Sequence, residues 1–350
     1  MKIGLYGMPT AGKTFLMEKI DFLDVYAGSK MLHDICPDFD LIDEVDKESA
    51  RRKLANSLAA KDSFIMDGHY AFGDRVVFTE NDGNLYDVFI YLYISPDVLS
   101  TRMNASDRNR RFLTYDISEW QKREIEELRQ YCHENNKDFY VIDNPPDNVF
   151  DDVSDIIGFI KCIVGGYSCV SLAKRIADDI ISKSKNETIT LMDGDKTITI
   201  EDSSNKVFGY KTHIYDGNFY TGYQSWRQSK EFETYHFDEI RSMPVTLNQN
   251  VCKEIGEDTF ILTSGHERVW SYIAKELAVP FYSGREMSAE TKLYITKLLQ
   301  TAGKTVTAYG DGMNDYYMMK QADRGFLVTK QDSSVSRSLK GRDLEGLERV

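Results

Sequence analysis

The chain is short of positive charge: 43 Lys and Arg stand against 56 Asp and Glu, for a formal net charge of −13 at pH 7. A protein whose main work is to grip a long polyanion needs the opposite balance, because neutralising phosphates drives such binding. Nucleic acid as a partner is left only the form of a local basic groove on an acidic body. Long apolar runs are also missing, since a membrane helix needs roughly 18 uninterrupted apolar residues. The best stretches, 85–94 and 156–164, are short and contain Asp87 and Lys161. No membrane partner is expected. Cysteine is scarce, and the five (Cys36, Cys132, Cys162, Cys169, Cys252) are odd in number, scattered and without metal-ligand spacing. They read as reduced, mostly buried thiols of a cytoplasmic protein. Residues 1–6 run as a strand straight into a glycine-rich loop, which leaves no room for a signal peptide. Internal repeats are absent too.

What is present is the composition of a folded protein, 41% hydrophobic and 28% charged. Its 350 residues exceed one comfortable core, since domains commonly run about 100–200 residues. Two domains are expected, 1–166 and 167–350, parting at Gly165-Gly166-Tyr167-Ser168. Strands and helices alternate in both. Strands are expected at 2–6, 63–66, 87–94 and 138–142, with helices from 13 onward and at 46–60, 118–135 and 149–164. The second cycle has a helix at 171–184, strands at 188–192, 260–263 and 305–309, and helices at 267–277 and 289–302. The fold class is therefore α/β, each domain a parallel sheet flanked by helices. The polar tail after Gln331 reads as loosely held.

Gly7-Met8-Pro9-Thr10-Ala11-Gly12-Lys13-Thr14 has the spacing of a P-loop, with the strand before it and the helix after it that the motif requires. Backbone N–H groups would converge on nucleotide phosphates, Gly7 and Gly12 allowing the tight wrap. Lys13 would add charge near the β- and γ-phosphates, and Thr14 would ligate magnesium. Asp67 ends the next strand, where a magnesium-orienting carboxylate is expected. It is followed by Gly68-His69-Tyr70 and no acidic residue, which favours transfer to an acceptor over hydrolysis; His69 itself reads as a packed or solvent-facing residue. Arg102, Arg108, Arg110 and Arg111 crowd one stretch after the third strand.

With these motifs, residues 1–164 resemble the nucleoside-monophosphate-kinase-like group of P-loop kinases, which includes adenylate kinase relatives and polynucleotide 5′-kinases. The resemblance implies that Arg108, Arg110 or Arg111 acts as a lid arginine on the transferred phosphoryl group. It also points to an acidic residue after the first helix as the base for an attacking hydroxyl. Asp34 is the choice over Asp38 and Asp40, beside the alternative of an ordinary acidic loop.

Asp193 and Asp195 bracket one residue at the end of an apolar strand. That spacing lets one carboxylate attack phosphorus while the other serves the leaving oxygen as acid and then water as base. Three further pieces follow in order: Ser264 at a strand end, Lys292, and Gly310-Asp311-Gly312-Met313-Asn314-Asp315. Lys297 and Lys304 are alternatives to Lys292. Together these residues look like the haloacid-dehalogenase (HAD) superfamily, in its phosphoserine-phosphatase-like branch, over 188–328. The resemblance implies Asp193 as nucleophile and Asp195 as general acid and base, with Ser264 and Lys292 holding phosphate. Asp193, Asp195, Asp311 and Asp315 would then surround magnesium. The stretch 198–258 sits where that superfamily places a cap and is rich in aromatics: Tyr210, Tyr215, Phe219, Tyr220, Tyr223, Trp226, Tyr235 and Phe237. Within it Trp226 and Arg227 are the pair singled out for substrate contact, although such aromatics more often form the cap's own core.

The expectation is a bifunctional enzyme, an ATP-dependent kinase joined to a phosphomonoester phosphatase, with ATP and Mg2+ as its small partners and a small molecule or nucleotide as substrate. The kinase-then-phosphatase order also resembles phage-type polynucleotide 5′-kinase/3′-phosphatases, which keeps nucleic-acid end repair as an alternative. A ligand-sensing module with one inactive half is the third, and it sits poorly with two intact sets of motif residues.

Overall fold

The apolar run Val88–Leu92 is a strand buried at all five residues, as a strand covered on both faces must be. It belongs to the first of two units, Met1–Tyr167 and Ser168–Val350, in a computed structural model that describes residues 1–143, 152–234, 240, 242–284, 286–330 and 332–350. In the first unit the strands are β1 (Lys2–Tyr6), β2 (Asp24–Ala27), β3 (Phe64–Asp67), β4 (Ala71–Phe72), β5 (Arg75–Val76), β6 (Val88–Leu92) and β7 (Asp138–Ile142). β4 and β5 form a small antiparallel hairpin. The others make one parallel sheet in the order β2-β3-β1-β6-β7. β2 was not expected from sequence; none of its four residues is buried, so its apolar signal is weak.

Helices of this unit start where their caps lie. Asp43 accepts from the Asp46 amide and begins Glu44–Ala59, two residues before the expected start; Asp116 accepts from Glu119 and begins Ile117–Glu134. The helix after the glycine-rich loop spans only Lys13–Met17. The closing helix runs Ser154–Val164, and positions 149–151 of the expected helix lie outside the described residues.

The second unit holds β8 (Thr188–Met192), β9 (Thr259–Thr263), β10 (Phe281–Ser283), β11 (Thr305–Gly310), β12 (Arg324–Leu327) and β13 (Leu347–Arg349). They form a parallel sheet ordered β10-β9-β8-β11-β12-β13. Alternation along the strands builds two cores. Leu191, Phe260, Leu262, Val306 and Ala308 pack with helices Cys169–Lys183, Ala289–Thr301 and Met313–Gln321. Met192, Ile261, Tyr309 and Phe326 pack instead with helix Glu267–Leu277.

The tail expected to be loose is part of this sheet. β13 pairs with β12, Leu339 is 1% exposed, and Ser338 Oγ accepts from the Met313 amide at 3.1 Å. Its polar sequence misled because an edge strand needs backbone partners more than apolar side chains. Between β8 and β9 the chain adds helices Ser203–Phe208, Gly222–Thr234 and Gln249–Cys252. Among its aromatics, Tyr235 and Phe237 lie outside the described residues.

Candidate active sites

In the first sheet β1 lies between β3 and β6, so the chain leaves it to opposite sides, and open α/β sheets bind ligands at the carboxyl ends of such strands. The loop after β1 needs left-handed backbone at Gly7 (φ 148°), Thr10 (φ 66°) and Gly12 (φ 97°). At Gly7 a Cβ would also stand 2.8 Å from Leu92 O, so a side chain is excluded there on both grounds. Lys13 is 6% exposed and donates from Nζ to Gly7 O at 2.5 Å and Met8 O at 3.2 Å. Burial pulls its ammonium down to about 8 against the opposing pull of Asp67 and Glu124. Asp67 ends β3 in register with Leu5 of β1 and accepts from Gly28 N–H at 2.8 Å. Thr14 is exposed one residue past Lys13.

The four arginines separate. Arg102 Nη1 donates to Thr10 O of the loop at 3.2 Å. Arg108 acts electrostatically on His69, whose imidazole is pushed well below its ordinary range by burial, then by Lys13 and Arg108. His69 is half-buried, with no hydrogen bond to Nδ1, and its ring lies 4.7 Å from that of Phe72 at a tilt of 42°. Arg110 turns back to Asn104 O (3.1 and 2.9 Å), and Arg111 lies 4.8 Å over the Phe112 ring. Asp34 is exposed in an ion pair with Lys30 at 3.8 Å.

Sequence reading missed Glu124. It is fully buried on helix Ile117–Glu134 and accepts from Ala71 N–H (3.0 Å), Trp120 Nε1 (3.0 Å) and Tyr91 OH (2.6 Å). It thereby ties β4, and with it the turn carrying His69, to the sheet. Only its spacing from Trp120 was visible in the sequence.

In the second sheet, β8 lies between β9 and β11, and the three carboxyl ends deliver Asp193, Ser264 and Asp311 to one place. Lys292, on helix Ala289–Thr301, is 0% exposed and reaches Asp193 Oδ1 at 2.6 Å and Asp315 Oδ1 at 2.7 Å. Burial opposes its charge, but these two carboxylates outweigh it and raise its pKa. Lys304 instead donates to Asn186 O. Carboxylate oxygens of Asp193, Asp311 and Asp315 all lie within 4.8 Å of one another. Three converging carboxylate side chains, two of them bonded to Lys292, fit a divalent cation with oxygen ligands. Asp195 is not part of that cluster.

Asp195 follows Asp193 in a π-type turn, Gly194–Ile198, made possible by left-handed Lys196 (φ 61°). Its Oδ1 accepts from Ser203 N–H at 2.8 Å. Burial and the neighbouring Asp202 raise its carboxyl to about 6, against the Ser203 hydrogen bond. Burial and Asp315 raise Asp311 to about 7, against Lys196 and Lys292. Ser264 Oγ donates to Met287 O at 2.6 Å and accepts from Asn314 Nδ2 at 2.8 Å.

These groups floor a cavity of about 570 Å³. Its walls come from the segment between β8 and β9, with Tyr210, Lys211, Tyr215, Tyr220 and Gln228, and from Ser336 and Ser338 of the tail. Trp226 and Arg227 do not line it. Trp226 is 9% exposed, stacked on fully buried Tyr223 at 6.3 Å, and Arg227 lies 5.8 Å over the same Tyr223. The pair singled out from sequence therefore belongs to the cap's own core. Helix Gly222–Thr234 presents Gln228 to the cavity, a residue with no distinctive sequence signal. Among the described residues no single helix is long and apolar enough to cross a membrane.

No protein-family model and no curated protein matches this chain. Solved structures resemble parts of it at low similarity. The shikimate kinase from Acinetobacter baumannii in complex with shikimate is 15% identical, covering 47% of this chain and 92% of that one at a TM-score of 0.34. A HAD family hydrolase from Salmonella enterica subsp. enterica serovar Typhi is 17% identical, covering 41% of this chain and 63% of that one at 0.28. A phosphoserine phosphatase held as a phospho-aspartyl intermediate analogue is 15% identical, covering 42% of this chain and 89% of that one at 0.31. At these values none of the three assigns a family or an activity to the chain.

Proposed function

We propose that the chain is a bifunctional, magnesium-dependent phosphotransfer enzyme: an ATP-dependent kinase in its first unit and a phosphomonoester phosphatase in its second, acting on small molecules or nucleotides. The observation that carries the reading is the meeting of Asp193 and Asp311, at the carboxyl ends of adjacent strands, with buried Asp315 and Lys292 from two helices, and with Asp195 two residues from Asp193.

In the phosphatase, an Asp193 carboxylate oxygen attacks phosphorus and the bond to the leaving oxygen breaks. Asp195, raised to about 6, is poised near neutral pH to protonate that oxygen. Water then attacks the aspartyl-phosphate, giving its proton to Asp195 and releasing inorganic phosphate with Asp193 restored. Lys292 fixes Asp193 throughout and holds Asp315 in place. Ser264, which donates to Met287 O and accepts from Asn314, would turn its one proton from that carbonyl to a phosphate oxygen when substrate binds. A magnesium ion held by Asp193, Asp311 and Asp315 would neutralise charge on the phosphate when bound.

In the kinase, Lys13 and the loop amides after β1 hold the phosphates of ATP. Thr14 and Asp67 are the residues that would hold its magnesium. Arg102, bonded to Thr10 O of the loop, and Arg108, whose charge acts on His69, are the candidates to answer charge developing on the transferred group. The exposed Asp34 is assigned no role.

The test uses purified full chain, magnesium and γ-labelled ATP with two acceptor pools. One contains nucleosides, nucleoside monophosphates and small alcohols; the other contains 5′-hydroxyl oligonucleotides. Label in the first pool alone is expected. Label on the oligonucleotides, with removal of 3′-phosphates from the same strands, would make the protein an end-healing enzyme instead. No label in either pool would refute the kinase.

A further inference from the structure

One wall of the cavity over Asp193 is a loop held at both ends. Asn205 Nδ2 donates to Tyr210 O at 3.0 Å, and Ala289 N–H donates to Tyr220 O at 3.1 Å. Between these anchors Tyr215 OH donates to Gln228 Oε1 and Tyr220 OH donates to Tyr215 O, both at 3.0 Å. The Tyr215 and Tyr220 rings are stacked, with centroids 5.3 Å apart and planes 19° from parallel. Both line the cavity, so they present a rigid aromatic wall. The Tyr215 bond uses the carbonyl oxygen of Gln228, which leaves the amide N–H2 as a donor beside that wall.

Size and charge narrow what such a wall is for. A cavity of about 570 Å³ far exceeds a phosphate on a three-carbon chain, and falls in the range of roughly 300–1,000 Å³ typical of pockets that enclose drug-sized molecules. Of the outer lining carboxylates, Asp202 is paired with Lys196 at 3.6 Å and Asp216 is hydrogen-bonded to His213 Nδ1 at 2.7 Å. Lys211 is exposed on the lining and has no carboxylate within 4.0 Å among the described residues. A polyphosphate tail or a polymer backbone needs several such cations. A leaving group without further phosphates, flat enough to lie on tyrosine and able to hydrogen-bond an amide, needs none of them.

From this geometry we infer that the phosphatase site is built for a nucleoside monophosphate, its base against the Tyr215–Tyr220 wall and its phosphate at Asp193. The inference rests on the phosphatase reading above. Full-length protein with magnesium is assayed for phosphate release from nucleoside monophosphates, from O-phosphoserine and glycerol phosphate, and from oligonucleotides ending in a 3′-phosphate.

The expected result is a kcat/KM for the best nucleoside monophosphate at least about tenfold above the aliphatic esters and the oligonucleotides. In Tyr215→Ala that preference falls about tenfold or more, mainly through KM. Gln228→Ala changes the ranking among bases, and reads the same wall without removing a ring. Equal or better turnover of the aliphatic esters, or of the oligonucleotides, overturns the nucleotide assignment while leaving the phosphatase intact. A preference that Tyr215→Ala leaves unchanged overturns the role of the wall. Phosphate release from none of the substrates, or release undiminished in Asp193→Asn, overturns the phosphatase itself.

Discussion

Lys292→Met removes one charge from the most demanding spot in the second unit and keeps nearly the same bulk. The ammonium sits 2.6 Å from Asp193 and 2.7 Å from Asp315, with the three side chains 0%, 9% and 2% exposed. At an effective dielectric near 20, each contact corresponds to about 6 kcal/mol of attraction. Desolvating the ammonium offsets much of that, and removing one partner from a buried ion pair costs about 3–5 kcal/mol because the other charges stay behind. Hydrogen exchange in the Thr188–Met192 strand, read by mass spectrometry on the full chain, assigns the loss to this unit.

Expected in EDTA is a drop of about 3–5 kcal/mol in the opening free energy of that strand. Millimolar magnesium should return part of it, because a second cation then answers the Asp193, Asp311 and Asp315 cluster. Phosphatase turnover should fall about a hundredfold or more even with magnesium present. A stability change below about 1 kcal/mol in EDTA would refute the reasoning, since it would mean that Lys292 does not offset the burial of this cluster.

Asp193→Asn should lower phosphate release by about a thousandfold or more while leaving ATP turnover untouched; Lys13→Ala should do the reverse, and a product assay on each variant checks both. Glu124 is raised by burial against its three hydrogen bonds and Lys13, so the folded chain retains its proton to higher pH than the unfolded one. The contribution of Glu124 to stability should therefore grow as pH falls through its folded pKa and be lost as pH rises through it. Wild type should accordingly gain on Glu124→Gln as pH is lowered from 7, measured by exchange in Val88–Leu92; a gap that is constant or shrinks on acidification would sink the assignment. Deleting 332–350 should cost about 2–3 kcal/mol from Leu339 alone and impair the phosphatase through loss of the Ser338–Met313 bond, seen as faster exchange in Arg324–Leu327.

Local chemistry in this chain was written where geometry is local. Gly7 and Gly12 occupy left-handed backbone, which few other residues tolerate, so a tight turn there could be expected before any fold was known. Asp193 and Asp195 could be paired because one turn holds them, and the apolar runs at 88–92 and 188–192 announced buried parallel strands. Caps such as Asp43 and Asp116 likewise decide helix starts within a few residues.

What joins distant segments was decided only by packing. Lys292 was one of three plausible lysines until the helix from Ala289 placed it between Asp193 and Asp315. The four arginines looked alike in a row, yet one reaches the Thr10 carbonyl and another closes on Asn104. Trp226 looked like a substrate contact and is core, because its face of the helix turns inward while Gln228, two residues on, turns to the cavity. The tail looked loose because its strand is held by backbone bonds to a neighbour more than twenty residues away, a partnership that side-chain pattern does not record. Residue type and spacing thus set which chemistry is available, while the burial and alignment of those side chains depend on contacts between parts of the chain far apart in sequence.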